Sequence, residues 1–243
     1  MKIIRSRLFD KFPGLIFGFS TKIGLDRKPP YYFNMSKSVG DSSDVVDENR
    51  SALFNELGID GSNVVFQKQI HSDIVRVIRE HGKIEEGDAM ITDRKGLSLA
   101  VSTADCIPIF LYDEENNVIA GIHSGWRSTK EKILLKTLNM MSVDFHSKPE
   151  NLWAYIAPSI SAGNYEVGKE FEGYFPAEYL TPKGDKFLLD LKTANYDMLT
   201  AFGILEEHIE ISNLCSFEEE YLHSYRRDGK ISGRALGIIG LAN

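Results

Sequence analysis

Short apolar, β-branched runs separated by turn residues fill the middle of the chain, and stretches with apolar residues three or four positions apart lie on either side. The first kind of pattern predicts strands over 15–19, 64–66, 74–78, 89–91, 97–101, 107–112, 118–122, 153–156 and 236–241. The second predicts a helix over 44–57, capped by Ser43 or Asp44, with Val46, Leu53 and Leu57 on one face and Gly58 as terminator. A further helix is predicted over 129–141. There Ser128 and Glu131 form a capping-box pattern, and Leu134, Leu138 and Met141 share a face. A last helix is predicted over 192–202. Residues 24–43, with Pro29, Pro30 and several serines, read as one long surface loop of the kind that often carries function. Strands and helices interleave without a clean βαβ rhythm, and there is no repeat, linker or low-complexity tract. The expectation is one α/β (α+β) domain over 1–243 with mixed sheets.

A chain of 243 residues, 42% apolar and 26% charged, can bury a large core, which excludes a disordered or fibrous protein. Its formal charge of −7 disfavours a general nucleic-acid or anionic-membrane binder. Two cysteines make no disulfide framework and point to a reducing compartment. No apolar stretch reaches signal-peptide or membrane-span length, so a cytoplasmic protein without nucleic-acid or membrane partners is expected, and a monomer.

The segment 103–128 concentrates the candidate chemistry. Two apolar strands flank the polar turn Asp113-Glu114-Glu115-Asn116-Asn117 and read as a β-hairpin. Pairing Asp113 with Val118 brings Cys106 and His123 within two positions of direct opposition, a separation of roughly 5–8 Å between Cβ atoms. A single zinc ion or a Cys–His hydrogen bond could join them. Equally, Cys106 could be a core residue and His123 a structural histidine. After His123, Ser124-Gly125-Trp126-Arg127 leads into the next helix, where free backbone N–H groups and the Arg127 guanidinium suit a phosphate. The alternatives are that Arg127 pairs with a surface carboxylate and that Trp126 is core rather than a wall for a base. Arg226, Arg227, Lys230 and Arg234 form a second basic cluster, either a solvated hairpin face or an anion pocket.

Several motifs carry a wider resemblance. They are Gly18-Phe19-Ser20-Thr21, Asn34, Glu48-Asn49-Arg50, Gln69-Ile70-His71, Gly87-Asp88-Ala89, Thr103-Ala104-Asp105-Cys106, His123-Ser124-Gly125-Trp126-Arg127, Tyr165-Glu166-Val167, Tyr225-Arg226-Arg227-Asp228 and Gly233-Arg234. In order and spacing, over nearly the whole length, the chain resembles the laccase-domain family. That family is also called multicopper polyphenol oxidase or peptidoglycan editing factor, and its members are described as purine nucleoside phosphorylases and adenosine deaminases. The resemblance implies two packed mixed sheets flanked by helices, in α/β/β/α layers. It implies His71, Cys106 and His123 as ligands of zinc, with copper as the alternative ion. Three protein ligands are the arrangement of catalytic zinc.

The implied reactions are phosphorolysis of adenosine, inosine, guanosine or methylthioadenosine, and adenosine deamination. Purine nucleoside and phosphate would be the small-molecule partners. In this scheme Arg127 holds phosphate, and Asp105 either moves protons or orients a metal-bound histidine. His81, His146, His208 and His223 match no ligand position. Two positions depart from the family: Lys22 stands where arginine is usual, ahead of a segment that lacks the family's glycines, and Ser128 stands where glycine is usual. A Cys–His hydrolase with Cys106 as nucleophile and His123 as base, and an enzyme editing peptidoglycan precursors, are the rival readings. A true multicopper laccase needs more histidine ligands than six His without an HxH pair supply.

Overall fold

Two large sheets lie face to face in the computed structural model, which describes residues 1–82 and 85–242. The first runs β1 (Ile3–Ile4), β2 (Leu15–Ser20), β14 (Ala235–Leu241), β6 (Ser98–Thr103) and β3 (Val64–Val65). It is antiparallel except where β3 joins β6. The second runs β13 (Ile209–Ile211), β9 (Leu152–Ile156), β7 (Ile107–Asp113), β8 (Val118–Ser124), β5 (Ala89–Thr92) and β4 (Val75–Val77). Its centre is antiparallel and both its edge pairs are parallel. A small third sheet, β10 (Glu166–Val167), β12 (Lys186–Leu189) and β11 (Leu180–Lys183), was not expected. Its strands are short, and the exposed Thr181-Pro182-Lys183 stretch lacks the alternation that marks a half-buried strand.

The inner faces of the two large sheets meet through Phe17, Phe19, Leu99, Val101, Phe110, Tyr155 and Ile239. Gly237 leaves the room for this contact, since a Cβ there would fall 2.4 Å from the Phe110 ring. The outer face of the first sheet is covered by α1 (Ser43–Leu57) through Leu53, Phe54 and Leu57. The outer face of the second is covered by α3 (Ile133–Phe145) and α4 (Leu191–Phe202) through Leu134, Leu138, Met141 and Leu199. The implied α/β/β/α layering is therefore the observed one. Strands such as β7 and β8 are buried throughout because both faces are covered, and they read as continuous apolar runs.

Local structure follows the chain pattern closely at α1, which stops at Gly58 in the left-handed conformation, φ 68°. The helix predicted over 129–141 is instead two helices, α2 (Trp126–Lys130) and α3. Lys132 turns left-handed between them, φ 60°. Gly125 takes the N-cap position of α2, so Ser128 lies inside that helix, buried and without a hydrogen-bond partner for its hydroxyl. The segment between β2 and α1 contains no strand or α-helix, as expected. No helix among the described residues is long and apolar enough to cross a membrane.

Candidate metal centre

The β7–β8 hairpin pairs Asp113 with Val118, Pro108 with His123 and Ile107 with Ser124. This is the predicted register, and it places Cys106, the residue ahead of β7, beside the end of β8. The backbone reaches β7 through a tight turn in which Asp105 adopts φ 92° and the Thr103 hydroxyl donates to the Cys106 carbonyl at 2.7 Å. His71 comes from the loop between β3 and β4 and has a left-handed backbone, φ 59°. That loop is pinned at Gln69, whose amide exchanges two 2.8 Å hydrogen bonds with the Ser102 backbone of β6, as a neighbouring strand would.

Asp88, buried just ahead of β5, joins the pieces. Its carboxylate accepts the backbone N–H groups of Ile70, His71 and Ser72 at 3.2, 3.0 and 2.7 Å. It also accepts the Ser72 hydroxyl at 2.7 Å and Nδ1–H of His123 at 2.9 Å. With Nδ1 committed to Asp88, Nε2 of His123 is left to face the cluster. Burial works against charge on Asp88, yet the His123 and Ser72 contacts hold its carboxyl down at about 2.

One ligand atom each from His71, Cys106 and His123 lies within 4.8 Å of the other two. Cys106 Sγ is 3.9 Å from Nε2 of His71, and the two imidazoles stand edge to face with centroids 4.9 Å apart. Burial pushes the Cys106 thiol up, but the adjoining His123 and His71 outweigh it and bring the thiol to about 6. Burial likewise disfavours charge on His123, while Cys106 and Asp88 raise it to about 9. A thiolate and two imidazoles fit one zinc ion: zinc–sulfur and zinc–nitrogen bonds at a tetrahedral angle separate S and N by roughly 3.6 Å, close to the spacing found. Asp88 completes the fit as the carboxylate that commonly orients a metal-bound histidine.

The other expected site residues fall into place unevenly. Asp105 does not touch a histidine. Its carboxylate accepts the Ser216 hydroxyl and the Arg226 backbone N–H, each at 2.6 Å, and the carboxylate that contacts a histidine is that of Asp88. Arg127 is exposed on α2, its guanidinium 4.3 Å from the Trp126 ring, with no carboxylate partner among the described residues. The helix behind it has five residues rather than thirteen, so its dipole contributes little and the side chain must carry any phosphate binding. Trp126 packs on the core and stacks with Tyr174 at 5.6 Å.

The C-terminal basic cluster is not a hairpin face. Arg227 is a strut, donating to the carbonyls of Ser216, Phe217, Glu219 and Leu222 and to Asp228. Lys22 pairs with Asp228 at 2.7 Å. Arg226 donates to the Glu166 carbonyl at 2.9 Å and lies over the Tyr165 ring. Burial and the nearby Cys106 push the Tyr165 phenol up and outweigh Arg226 and Arg127, which pull it down. Asp88 and Tyr165 both sit in motifs visible in the chain but had no assigned role. A carboxylate directly preceding a buried strand is the signal that could have singled out Asp88.

The layers and the three converging side chains define a mixed α/β protein with a His–Cys–His cluster able to hold one metal ion. Residues 16–242 match the family model described as multi-copper polyphenol oxidoreductase laccase, and the chain belongs to that family. A protein of Corynebacterium glutamicum named purine nucleoside phosphorylase is 33% identical over 232 residues, 92% of this chain and 93% of the relative. The purine nucleoside phosphorylase YfiH of Escherichia coli is 33% identical over 231 residues, covering 91% of this chain and 92% of its own. Among solved structures, YlmD from Geobacillus stearothermophilus superimposes with a TM-score of 0.92 at 28% identity over 100% of this chain and 97% of its own. YfiH of Bacillus licheniformis, titled a hypothetical protein, gives 0.88 at 30% identity over 93% and 92%. The family's name notwithstanding, a single His–Cys–His cluster is found among the described residues.

Proposed function

We propose that the protein is a purine nucleoside phosphorylase whose site is built on zinc held by His71, Cys106 and His123, and that it also deaminates adenosine. The observation that carries this reading is the His–Cys–His cluster, standing in a chain that aligns almost end to end with relatives named for phosphorolysis. In phosphorolysis a phosphate oxygen bonds to ribose C1′, the bond from C1′ to the purine nitrogen breaks, and its electron pair leaves with the base, which takes up a proton. Positive charge grows on the sugar as the bond breaks, so phosphate must be held close and in line. Arg127 supplies a guanidinium with no carboxylate partner among the described residues, near enough to Tyr165 to act on the same phenol as Cys106 does.

Tyr165, kept as a phenol by its surroundings, is an O–H donor in the same neighbourhood. Asp105 holds the turn that presents Cys106 and ties it to Arg226 at the start of α5 (Tyr225–Asp228). Bound zinc would supply Lewis acidity at the reacting groups, for water in deamination and for a substrate oxygen in phosphorolysis. Three protein donors are one fewer than a closed structural zinc site employs.

A second reading has one observation of its own. Cys106, His123 and Asp88 line up as thiol, base and orienting carboxylate, which is the arrangement of a cysteine hydrolase. His71, which such a triad does not need, favours the metal. The deciding experiment incubates purified protein with adenosine or inosine, with and without phosphate, and identifies products alongside metal analysis. Ribose 1-phosphate and free base, formed only with phosphate and lost in His71→Ala, Cys106→Ala and His123→Ala, are the expected result. Metal-free protein whose activity disappears on thiol alkylation and survives His71→Ala would establish the hydrolase instead.

A further inference from the structure

Bound to a metal ion, Cys106 would give the His–Cys–His cluster one thiolate, and the buried carboxylate of Asp88 stands one imidazole ring away from it. With both histidines neutral as ligands, the cluster and Asp88 together hold two negative charges. That balances a divalent ion and leaves a monovalent one short by a charge. From this we infer that Asp88 is a positioning residue that also sets the charge of the metal the site accepts, favouring Zn(II) over Cu(I). The inference rests on the metal reading above.

The geometry gives Asp88 a grip on two of the three ligands at once. It fixes the His123 ring through Nδ1 and fixes the left-handed backbone of His71 through three consecutive N–H groups. Five donors converge on two carboxylate oxygens, an arrangement an amide cannot reproduce, because its NH2 group would face N–H donors. Thiolate and imidazole ligands suit both zinc and cuprous copper, so the donor set alone does not choose between them. Electrostatic attraction does distinguish them, because it is twice as large for a double charge. Arg226 and Arg127 act on Tyr165, and the half-buried Arg234 feels Cys106 and Asp105; all three charges are the same in wild type and in the Asp88 variants.

The test measures dissociation constants of the full-length, metal-stripped protein for Zn(II) and, anaerobically, for Cu(I), each by competition with a chromophoric chelator. Asp88→Asn is expected to weaken zinc binding by about 10–100-fold. Its loss of Cu(I) affinity is expected to be smaller by about 3–10-fold, the mark of a missing charge rather than of loosened geometry. Asp88→Glu keeps the charge, so it should hold the wild-type ratio of the two affinities even where both fall. Equal losses for the two ions in Asp88→Asn, or a changed ratio in Asp88→Glu, overturn the inference. Should Asp88→Asn fail to fold, the Asp88→Glu ratio decides. Wild-type protein that binds neither ion overturns the metal reading itself, whereas wild-type binding with an unaltered ratio in Asp88→Asn overturns only this inference.

Discussion

A methyl group placed on Gly125 would stand 3.1 Å from Sγ of Cys106 and 3.1 Å from Cδ2 of His71. The backbone of Gly125 has an ordinary φ of −73°, so what the position requires is room, not a glycine conformation. The chain leaving β8 passes against two of the three converging side chains, and a missing Cβ lets them close up.

Gly125→Ala therefore forces Cys106 and His71 to give way by a few tenths of an ångström. We expect zinc affinity to fall by about tenfold, on the scale of other losses of ligand placement, with phosphorolysis falling alongside it. The metal-free protein should melt within a few degrees of wild type. Chelator competition measures the first effect and calorimetry the second. An unaltered affinity would show that the cluster yields without cost.

Among the described residues Arg127 has no carboxylate partner to release before binding an anion; its guanidinium lies over the Trp126 ring. Replacing it by alanine should raise the apparent KM for phosphate by roughly 10–100-fold, the equivalent of one charge-assisted hydrogen bond, and leave hydrolytic deamination unchanged. Lysine at this position should recover part of the loss, since it keeps the charge but not the forked geometry. Steady-state kinetics of both reactions test this, and equal losses in the two would assign Arg127 a structural role.

Arg227 is different in kind from its neighbours in the basic cluster. Its guanidinium satisfies four backbone carbonyls between Ser216 and Leu222. Truncation to alanine strands those carbonyls, and we expect a loss of about 3 kcal/mol: hydrogen bonds to a charged group are worth about 1.5–3 kcal/mol at full strength, but three of these carbonyls share one guanidinium nitrogen with two hydrogens. That should appear as a fall of roughly 6–12 °C in melting temperature for a chain of this size. Lys230→Ala, on an exposed turn, should change stability by less than about 0.5 kcal/mol.

His223 is buried, with Nε2–H 3.4 Å from the Phe33 carbonyl and Nδ1 without a partner among the described residues. Burial first, then the positive charges of Lys22 and Arg234, hold its pKa down at about 3, with Asp228 opposing them. The unfolded chain takes up this proton near 6.5, and the folded protein does so only near 3. Stability is therefore lost as pH falls from 6.5 toward 3, at up to about 1.4 kcal/mol per pH unit. His223→Gln should flatten the dependence across that window. Urea unfolding at pH 7, 5.5 and 4.5 measures it, and parallel slopes for variant and wild type would place the proton uptake elsewhere.

Most of the layered architecture could be read along the chain. Alternating and continuous apolar runs mark β2, β5 to β9 and β14, because a strand's burial depends on its own side chains. The hairpin register was equally legible. Two apolar strands around a short polar turn allow more than one register, and the predicted one, Asp113 with Val118, is the pairing found. That register brings Cys106 and His123 together from local information. Other features had no local mark. The break at Lys132 and the small third sheet arise where long-range packing overrides helix and strand preference.

His71 lies 35 residues before Cys106, in a loop without periodicity, and only the family resemblance pointed to it. Its place at the cluster depends on Asp88 binding the loop's backbone and on Gln69 of that loop binding the backbone of β6 across the fold. The same holds for Arg227, indistinguishable from Arg226 in the chain yet turned inward as a strut. Hydrophobic pattern settles which face of an element is buried, since that is a property of neighbours in sequence. Which carboxylate meets which histidine is settled by hydrogen bonds between segments that become neighbours only on folding.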